Sequence, residues 1–529
     1  MEEKRILVAD KIAEEGVEYL KSQPGFNVNV ITGLDEKGLC ASISDYHAVI
    51  VRSASRITPA VLDQAHSLQV IGRAGIGVDN IDIDYATQRG VAVLNTPDAN
   101  ATTTAELAMA HLLSLSRSLP QADRSVRAGE WKRSLFMGAE LANKTLGIVG
   151  YGTIGRIVAA RAKAFKMNVT VYDPFVTEEV CQSDNVTPLD LDNLFDTADY
   201  ISLHCPLNDK TRSIINDETI SRMKKGVRLI NCARGGLVDE QALYAALKAG
   251  HMAGAALDVF AEEPPTKSPL LDLDNIVFTP HLGASTQEAQ IAAGSEIARQ
   301  IATYLQTGEP INAINLPPVS AEELIKLKPY LVLVKRLGKI LAPMLDAPVK
   351  KVDVILCGEA TQRNVRSISV EGLIGLLGSN LSVPVNPVNA VKIAEQHGIR
   401  LVETLCDAHP DFHATVGLCA YHGDKTTTVE GALFDRKHPR LVRVNDYEIE
   451  AVLDGHLLIT RHRDQPGVVA GISSILARQQ INISRMQLGI VNDSDTAIAI
   501  MGVSTPLEAA LLNEIAALNA IDKVMQISL

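Results

Sequence analysis

Residues 145–173, TLGIVGYGTIGRIVAARAKAFKMNVTVYD, constrain the fold more than any other stretch of this 529-residue chain. Gly150, Gly152 and Gly155 stand in a G-x-G-x-x-G pattern. The apolar run Leu146 to Val149 leads in as a buried strand, and a helical run from Ile157 to Phe165 leads out. A second strand-like run, Asn168 to Tyr172, ends at Asp173. In this strand–turn–helix–strand context the glycines have separate tasks. Gly150 allows the tight turn, Gly152 lets backbone approach a pyrophosphate, and Gly155 lets helix and strand pack closely. The helix N-terminus then offers free N–H groups and a positive dipole end to phosphates. Asp173 follows Gly150 at roughly the ~20-residue spacing of a carboxylate that binds ribose hydroxyls. Pro174 and Phe175 come next, with no arginine to meet a 2′-phosphate. The stretch therefore predicts a dinucleotide site that favours NAD over NADP.

The surrounding sequence repeats the same grammar. RILVAD (5–10), FNVNVI (26–31), HAVIVRS (47–53), LQVIGRAG (68–75) and VAVLNTP (91–97) are apolar strand runs alternating with helical patterns. That is a doubly wound α/β layout. ATTTAELAMAHLLSLSR (101–117) reads as one long helix joining this first system to the glycine-turn system. A net charge of −12 argues against non-specific binding of nucleic acid or of an anionic membrane. Aromatic residues at 4% and one tryptophan supply no base-stacking surface. No apolar run reaches the length of a membrane span, and MEEKRILVAD lacks the apolar core of a signal peptide. A cytoplasmic protein is expected. The seven cysteines are odd in number, scattered and without a C-x-x-C, which predicts reduced thiols rather than a disulfide frame or a metal site.

Open α/β sheets bind ligands at strand C-termini. Arg52 and Ser53 sit at one such end; Arg73 and Gly75 sit at another, so the two arginines are candidates to hold an anionic substrate. Asp79 to Asp82 is read as a solvated helix cap in preference to a metal cluster. In the second system, Arg234, Glu263 and His281 all fall past strand ends. Their types suit hydride exchange between a ketone and an alcohol. The hydride belongs to the cofactor. His281 can move the proton near neutral pH, Glu263 can hold its imidazolium form, and Arg234 can polarise a carbonyl and hold a carboxylate.

GYGTIG, NCARGGLVDE, ALDVFAEEP and PHLGAST resemble the D-isomer-specific 2-hydroxyacid dehydrogenases over roughly residues 1–315. RAGIGVDNID, WKRSLFMGAEL and NCARGG are most like the phosphoglycerate-oxidising branch of that family. The resemblance implies that the catalytic arginine, glutamate and histidine are Arg234, Glu263 and His281. It places NAD contacts at Ile76, Thr153, Ile154, Asp173, Cys205, Cys232, Ala233, Asp258, Gly283 and Ala284, beside the three turn glycines. It implies a discontinuous substrate domain, 1–97 plus 285–314, around an NAD domain at 98–284, with a dimer through the NAD domains. Arg133 would then reach a neighbouring subunit's site.

Beyond the Leu316-Pro317-Pro318 linker, 321–345 reads as an amphipathic helix, and 350–359, 413–423, 426–434 and 439–452 as strands of an α+β domain. The last segment runs strand (456–464), helix (468–480), strand (481–491), strand (496–505), helix (507–518), strand (522–529). That βαββαβ order is ferredoxin-like, and Asp464 to Gly467 with Asn482 resemble the ACT amino-acid-sensing domain. The expected division is an intervening domain at 315–452 and an ACT domain at 453–529. By resemblance, Asp464, Asn482 and His462 are candidate L-serine contacts. The whole order resembles the long type of that branch. It implies NAD-dependent oxidation of 3-phospho-D-glycerate at the head of the phosphorylated serine pathway, serine feedback, and a homo-oligomer, expected as a tetramer. Two rivals stand beside it: a glyoxylate- or lactate-type dehydrogenase of the same family, and an NAD-sensing corepressor-like protein.

Overall fold

The computed structural model describes residues 3–378, 381, 384–491 and 495–529. Its first sheet holds β1 (Lys4–Val8), β2 (Phe26–Val30), β3 (Ala48–Val51), β4 (Val70–Arg73) and β5 (Ala92–Asn95), in the order β2-β1-β3-β4-β5. Every pair is parallel. The second sheet holds β6 (Thr145–Val149), β7 (Asn168–Tyr172), β8 (Thr187–Pro188), β9 (Tyr200–Leu203), β10 (Arg228–Asn231), β11 (Gly254–Leu257) and β12 (Ile276–Phe278). Its order is β12-β11-β10-β9-β6-β7-β8, again all parallel. Helices cover both faces of such sheets, so their central strands are apolar without alternation; β3, β9 and β11 are buried at every residue. The strand order reverses between β1 and β3 in one sheet and between β6 and β9 in the other. These are the crevices where doubly wound sheets take ligands.

The crossover helix, Ala101–Arg117, buries Ala105, Ala108, Met109 and Leu112 against Leu146, Ile148 and Val158 of the second sheet and its glycine-turn helix, Thr153–Ala164. The helix Gln287–Thr307 returns to the first sheet, where Ile297 and Ile301 pack with Ile6, Val8 and Val70. The chain then adds a strand-like contact to β5, with the Ile314 amide donating to the Val93 carbonyl at 2.8 Å.

The third sheet comprises β13 (Val349–Gly358), β14 (Arg400–Cys406), β15 (Ala414–His422), β16 (Lys425–Phe434), β17 (His438–Val444) and β18 (Tyr447–Val452), ordered β14-β13-β15-β16-β17-β18. The single strand expected at 439–452 is a hairpin instead: Val444 faces Tyr447, and Asn445 at φ 48° turns the chain. Strand β14 and the helix Val365–Leu377 were not foreseen. Nine residues of that helix are buried, including Ser369 and Gly372, so its polar stripe is too narrow for a clear periodicity.

The fourth sheet holds β19 (His456–Arg463), β20 (Ile483–Ile490), β21 (Thr496–Val503) and β22 (Ile521–Ser528), ordered β20-β21-β19-β22. With helices Val468–Arg478 and Ala509–Ala516 it forms the expected βαββαβ unit. The helices cover the face of Leu458, Ala499 and Met501. The opposite face, with Leu457, Ile459, Ile498 and Ile500, joins the core that contains Leu333, Leu337 and Ile340 of the helix Ala321–Leu341. No helix among the described residues is long and apolar enough to cross a membrane.

One expectation is corrected. Cys357 and Cys406 are register partners at the ends of β13 and β14, with Cα atoms 4.6 Å apart, and they form a disulfide. Parallel pairing of strands far apart in sequence created this contact, which no cysteine spacing could reveal. Five cysteines remain free. Thiol titration of the denatured, unreduced protein is therefore expected to find five groups, and seven after reduction. Seven without reductant would contradict the pairing.

Candidate active site

The carboxyl ends of both parallel sheets open onto one cleft of about 290 Å³. Its wall includes Arg73, Ile76, Ile154, Cys205, Cys232, Ala233, Arg234, His281, Gly283 and Ala284, all expected from sequence. Arg234 follows β10. The fully buried Asn231 shapes that loop, accepting from the Ala233 amide (3.0 Å) and donating to the Arg234 carbonyl (2.9 Å). The Arg234 Nε donates to Asp79 Oδ2 at 2.9 Å, and one terminal nitrogen donates to the Ala233 carbonyl at 2.7 Å. A Cβ on Gly77 would collide with the Arg234 guanidinium, so only glycine leaves the arginine its place. The Asp79–Asp82 expectation thus divides: Asp82 caps the helix Ile83–Gln88, while Asp79 reaches across the cleft.

Glu263 is held at both oxygens. Oε1 accepts from the Phe260 amide at 3.1 Å, and Oε2 lies 2.8 Å from His281 Nδ1. With Nδ1–H donating to the carboxylate, the His281 Nε2 lone pair is free to accept a proton. His281 has φ 55°, the left-handed region that non-glycine residues seldom occupy. Asp258, fully buried, holds the following turn: its carboxylate accepts from Thr279 Oγ1 (2.6 Å), Leu282 N (2.7 Å) and Gly283 N (2.8 Å). Asp258 was expected as an NAD contact. Here its oxygens face the turn and it is absent from the cleft wall.

The half of the cleft formed by the first sheet is cationic. The Arg73 guanidinium is pushed down to about 10, by burial first and then by Arg234 and Arg52. That remains well above neutrality, so it keeps its charge. Its Nε has no hydrogen-bond partner among the described residues, and one terminal nitrogen reaches the Ala74 carbonyl at 3.3 Å. Arg52 lines a small adjoining cavity with Gly75, Asn100 and Ala284; Asp10 accepts its backbone amide at 2.6 Å. Ser53 is exposed nearby, whereas Ser55 is buried on Asp10. Sequence reasoning missed Asn100. Its Oδ1 is buried without a partner among the described residues, and it lines both cavities from the start of the crossover helix. A polar residue opening a long helix just past a strand end was the available signal. Arg133 lies on an exposed turn, Arg133–Phe136, outside this cleft.

The glycine turn fits a dinucleotide. Gly150 has φ 96°, and a Cβ there would strike the His204 carbonyl and the Cys205 amide. A Cβ on Gly155 would strike the Gly150 carbonyl, while the space above Gly152 is open. Gly152 is the N-cap of the helix that begins at Thr153 and makes no side-chain cap, which leaves the first amides for a phosphate. Asp173 accepts from Tyr151 N (2.8 Å) and Phe175 N (2.9 Å), so its carboxylate is anchored beside the turn. Burial pushes the Cys205 thiol up to about 11 and raises Cys232 further, which keeps both protonated.

In the last domain Asp464 and Asn482 are exposed, and the Asp464 amide donates to the Asp495 carbonyl at 2.7 Å. His462 does not share that surface. It is 3% exposed, its Nδ1 lies 3.3 Å from Thr460 Oγ1, and burial lowers its pKa. Alternation along β19 turns residues 458, 460 and 462 toward the domain's own helices.

His204, in the cleft wall, is held to Ser202 at 2.8 Å, and desolvation pushes it down to about 4. The unfolded chain binds a proton there below about pH 6.5 and the folded protein does not until about pH 4. The stability it contributes is therefore complete above pH 6.5 and lost as pH falls toward 4, by at most ~3 kcal/mol. Replacing His204 by Gln is expected to flatten the fall of Tm across that window; an unchanged slope would remove His204 as its source.

Residues 109–283 match the family described as D-isomer specific 2-hydroxyacid dehydrogenase, NAD binding domain; 326–445 match the D-3-phosphoglycerate dehydrogenase intervening domain; 458–526 match the AHAS small subunit-like ACT domain. The D-3-phosphoglycerate dehydrogenase of Methanocaldococcus jannaschii is 41% identical over 99% of this chain and 100% of its own length. That of Bacillus subtilis is 38% identical over 97% of each. Among solved structures, the TT0316 protein of Thermus thermophilus is 34% identical with a TM-score of 0.55, covering 59% of this chain and 99% of that one. D-lactate dehydrogenase from Aquifex aeolicus, complexed with NAD and lactic acid, is 28% identical with a TM-score of 0.54, covering 59% and 100%. With identity of this level running through all four sheets, the chain belongs to the D-3-phosphoglycerate dehydrogenase family, among the D-isomer-specific 2-hydroxyacid dehydrogenases, and contains their NAD-binding domain.

Proposed function

We propose that this protein oxidises 3-phospho-D-glycerate to 3-phosphooxypyruvate, the entry step of the phosphorylated route to L-serine. The observation that carries the reading is the His281–Glu263 pair, whose imidazole shares one cleft with the Arg73 and Arg234 guanidinium groups, with Arg52 in the adjoining cavity. Bound NAD⁺ supplies the hydride acceptor. His281 Nε2 takes the substrate hydroxyl proton, and Glu263 on Nδ1 stabilises the imidazolium that results. Arg234, aimed by Asp79, polarises the forming carbonyl and holds the carboxylate. Arg73 and Arg52 meet the phosphate, with Gly75 and Asn100 beside them and the exposed Ser53 next in the chain to Arg52. A second anionic group on the substrate accounts for this surplus of cations better than glyoxylate or lactate does. The substrate domain in this reading is 1–97 with 285–314, and the NAD domain 98–284.

We propose further that the exposed Asp464 and Asn482 receive L-serine as effector, in a cytoplasmic homotetramer. The exposed Trp131, Leu135 and Met137 beside Arg133 support burial of that segment against a second subunit.

NADH oxidation is expected with phosphooxypyruvate and to be much weaker with glyoxylate or pyruvate; turnover with none of the three would refute the enzyme reading. His281→Ala is expected to reduce kcat at least ~100-fold, and near-normal activity would remove it from proton transfer. Asp173→Ala is expected to raise KM for NAD and relax discrimination against NADP; an unaltered preference would count against the ribose assignment. L-serine is expected to release heat on titration into the full protein and to lower activity, and Asp464→Ala to abolish both effects.

A further inference from the structure

His111 lies on the crossover helix, is 3% exposed, and has no place in the chemistry described above. Its Nε2 is 3.0 Å from Thr279 Oγ1. Thr279 in turn donates its hydroxyl to Asp258 Oδ1 at 2.6 Å. The carboxylate already accepts two backbone amides, so the threonine proton goes to it, and Thr279 oxygen must accept from His111. That assigns the Nε2–H tautomer to His111 and one direction to the chain: His111 to Thr279 to Asp258. Burial lowers the His111 pKa, which keeps the ring neutral and the direction fixed.

The end of this chain is the turn that holds His281. Leu282 N and Gly283 N, the two amides after His281, are both bonded to Asp258, and the His281 amide donates to the Asp258 carbonyl at 2.9 Å. The left-handed backbone of His281, φ 55°, persists only where such contacts over-determine it. The crossover helix holds the other side of the same turn. Thr104, seven residues before His111 and so on the same helical face, donates to the Gly283 carbonyl at 2.8 Å. Thr103 lies 3.2 Å from Thr286. One helix thus grips the 279–286 segment at its start, middle and end. It is also the helix whose first turn, through Asn100, lines the cleft.

We propose that His111 is a positioning residue: through Thr279 and Asp258 it holds the His281 turn, and with it the His281–Glu263 hydrogen bond, in the geometry for proton transfer. Its catalytic consequence rests on the activity proposed above; its effect on the turn does not.

The test compares His111→Leu with His111→Gln in the full-length protein. Glutamine can present an amide N–H near the position of Nε2, and leucine cannot. Leucine is expected to lower kcat about tenfold or more with KM for substrate and NAD changed far less, and glutamine to restore kcat to within about threefold of the starting protein. In ¹⁵N-histidine-labelled protein the Nδ1–H signal of His281, assigned by its loss in His281→Asn, is expected to shift or vanish in the leucine variant and to return in the glutamine variant. If leucine fails to fold, Thr279→Val breaks the same chain and carries the same expectations. A folded leucine variant with unchanged kcat and an unchanged His281 signal would overturn the proposal, as would a glutamine variant as impaired as leucine. If the unmodified protein turns over no substrate, the activity reading falls, and the His281 signal alone decides the positioning role.

Discussion

A guanidinium–carboxylate bond of 2.9 Å, Arg234 to Asp79, spans the cleft between two parallel sheets. Both partners are partly exposed, so the pair adds little to stability. Its value is geometric. It joins the end of β10 in one sheet to the segment after β4 in the other, and so fixes where the Arg234 guanidinium lies in the cleft. Arg73 and Arg52 then surround that point with charge that no protein carboxylate fully cancels. A cleft with this excess cation attracts an anion and orients it before chemistry begins.

The His281 side of the cleft is built differently, from buried neutral and anionic groups that direct one another. Asp258 has no solvent exposure, and every oxygen faces a donor from the turn that carries His281. Low local dielectric strengthens such bonds and makes any broken one costly. The turn is thereby rigid where the ligand-facing surface of His281 is half open. Far from this cleft, the two C-terminal sheets share a core: one face of the βαββαβ unit lies in the same apolar cluster as the helix Ala321–Leu341. Lys523 adds a 2.9 Å bond to Asp346 across that contact. A ligand that shifts the last domain must therefore strain a packed interface rather than a loose tether, which is the kind of bistable element that regulation requires.

Much of the site was legible because parallel α/β sheets advertise their ligand ends. Once 227–236 and 275–286 read as strands followed by loops, Arg234 and His281 had to lie on the same edge. The glycine turn was legible for a similar reason, since only glycine tolerates the backbone at 150 and the packing at 155. Asp79 was misread because an acid-rich run is usually a solvated cap, and the cap reading held for Asp82 alone. Asn100 offered only its place at the head of a long helix just past a strand end, and His111 gave no signal of its own. Their roles come from where the crossover helix packs, and packing partners remote in sequence leave no periodicity. The helix Val365–Leu377 was missed for the opposite reason, being buried around most of its circumference.

The alternation of strands and helices and the nucleotide turn could be read from the chain alone, because each is set by local backbone sterics or short-range spacing. Which groups touch was settled when distant segments packed together. That packing paired Cys357 with Cys406 through parallel strands, turned His462 inward through the pleat of β19, and directed the Asp258 carboxylate to the His281 turn. Those outcomes depend on register, burial and hydrogen-bond geometry between distant segments, which exist only after the sheets have assembled.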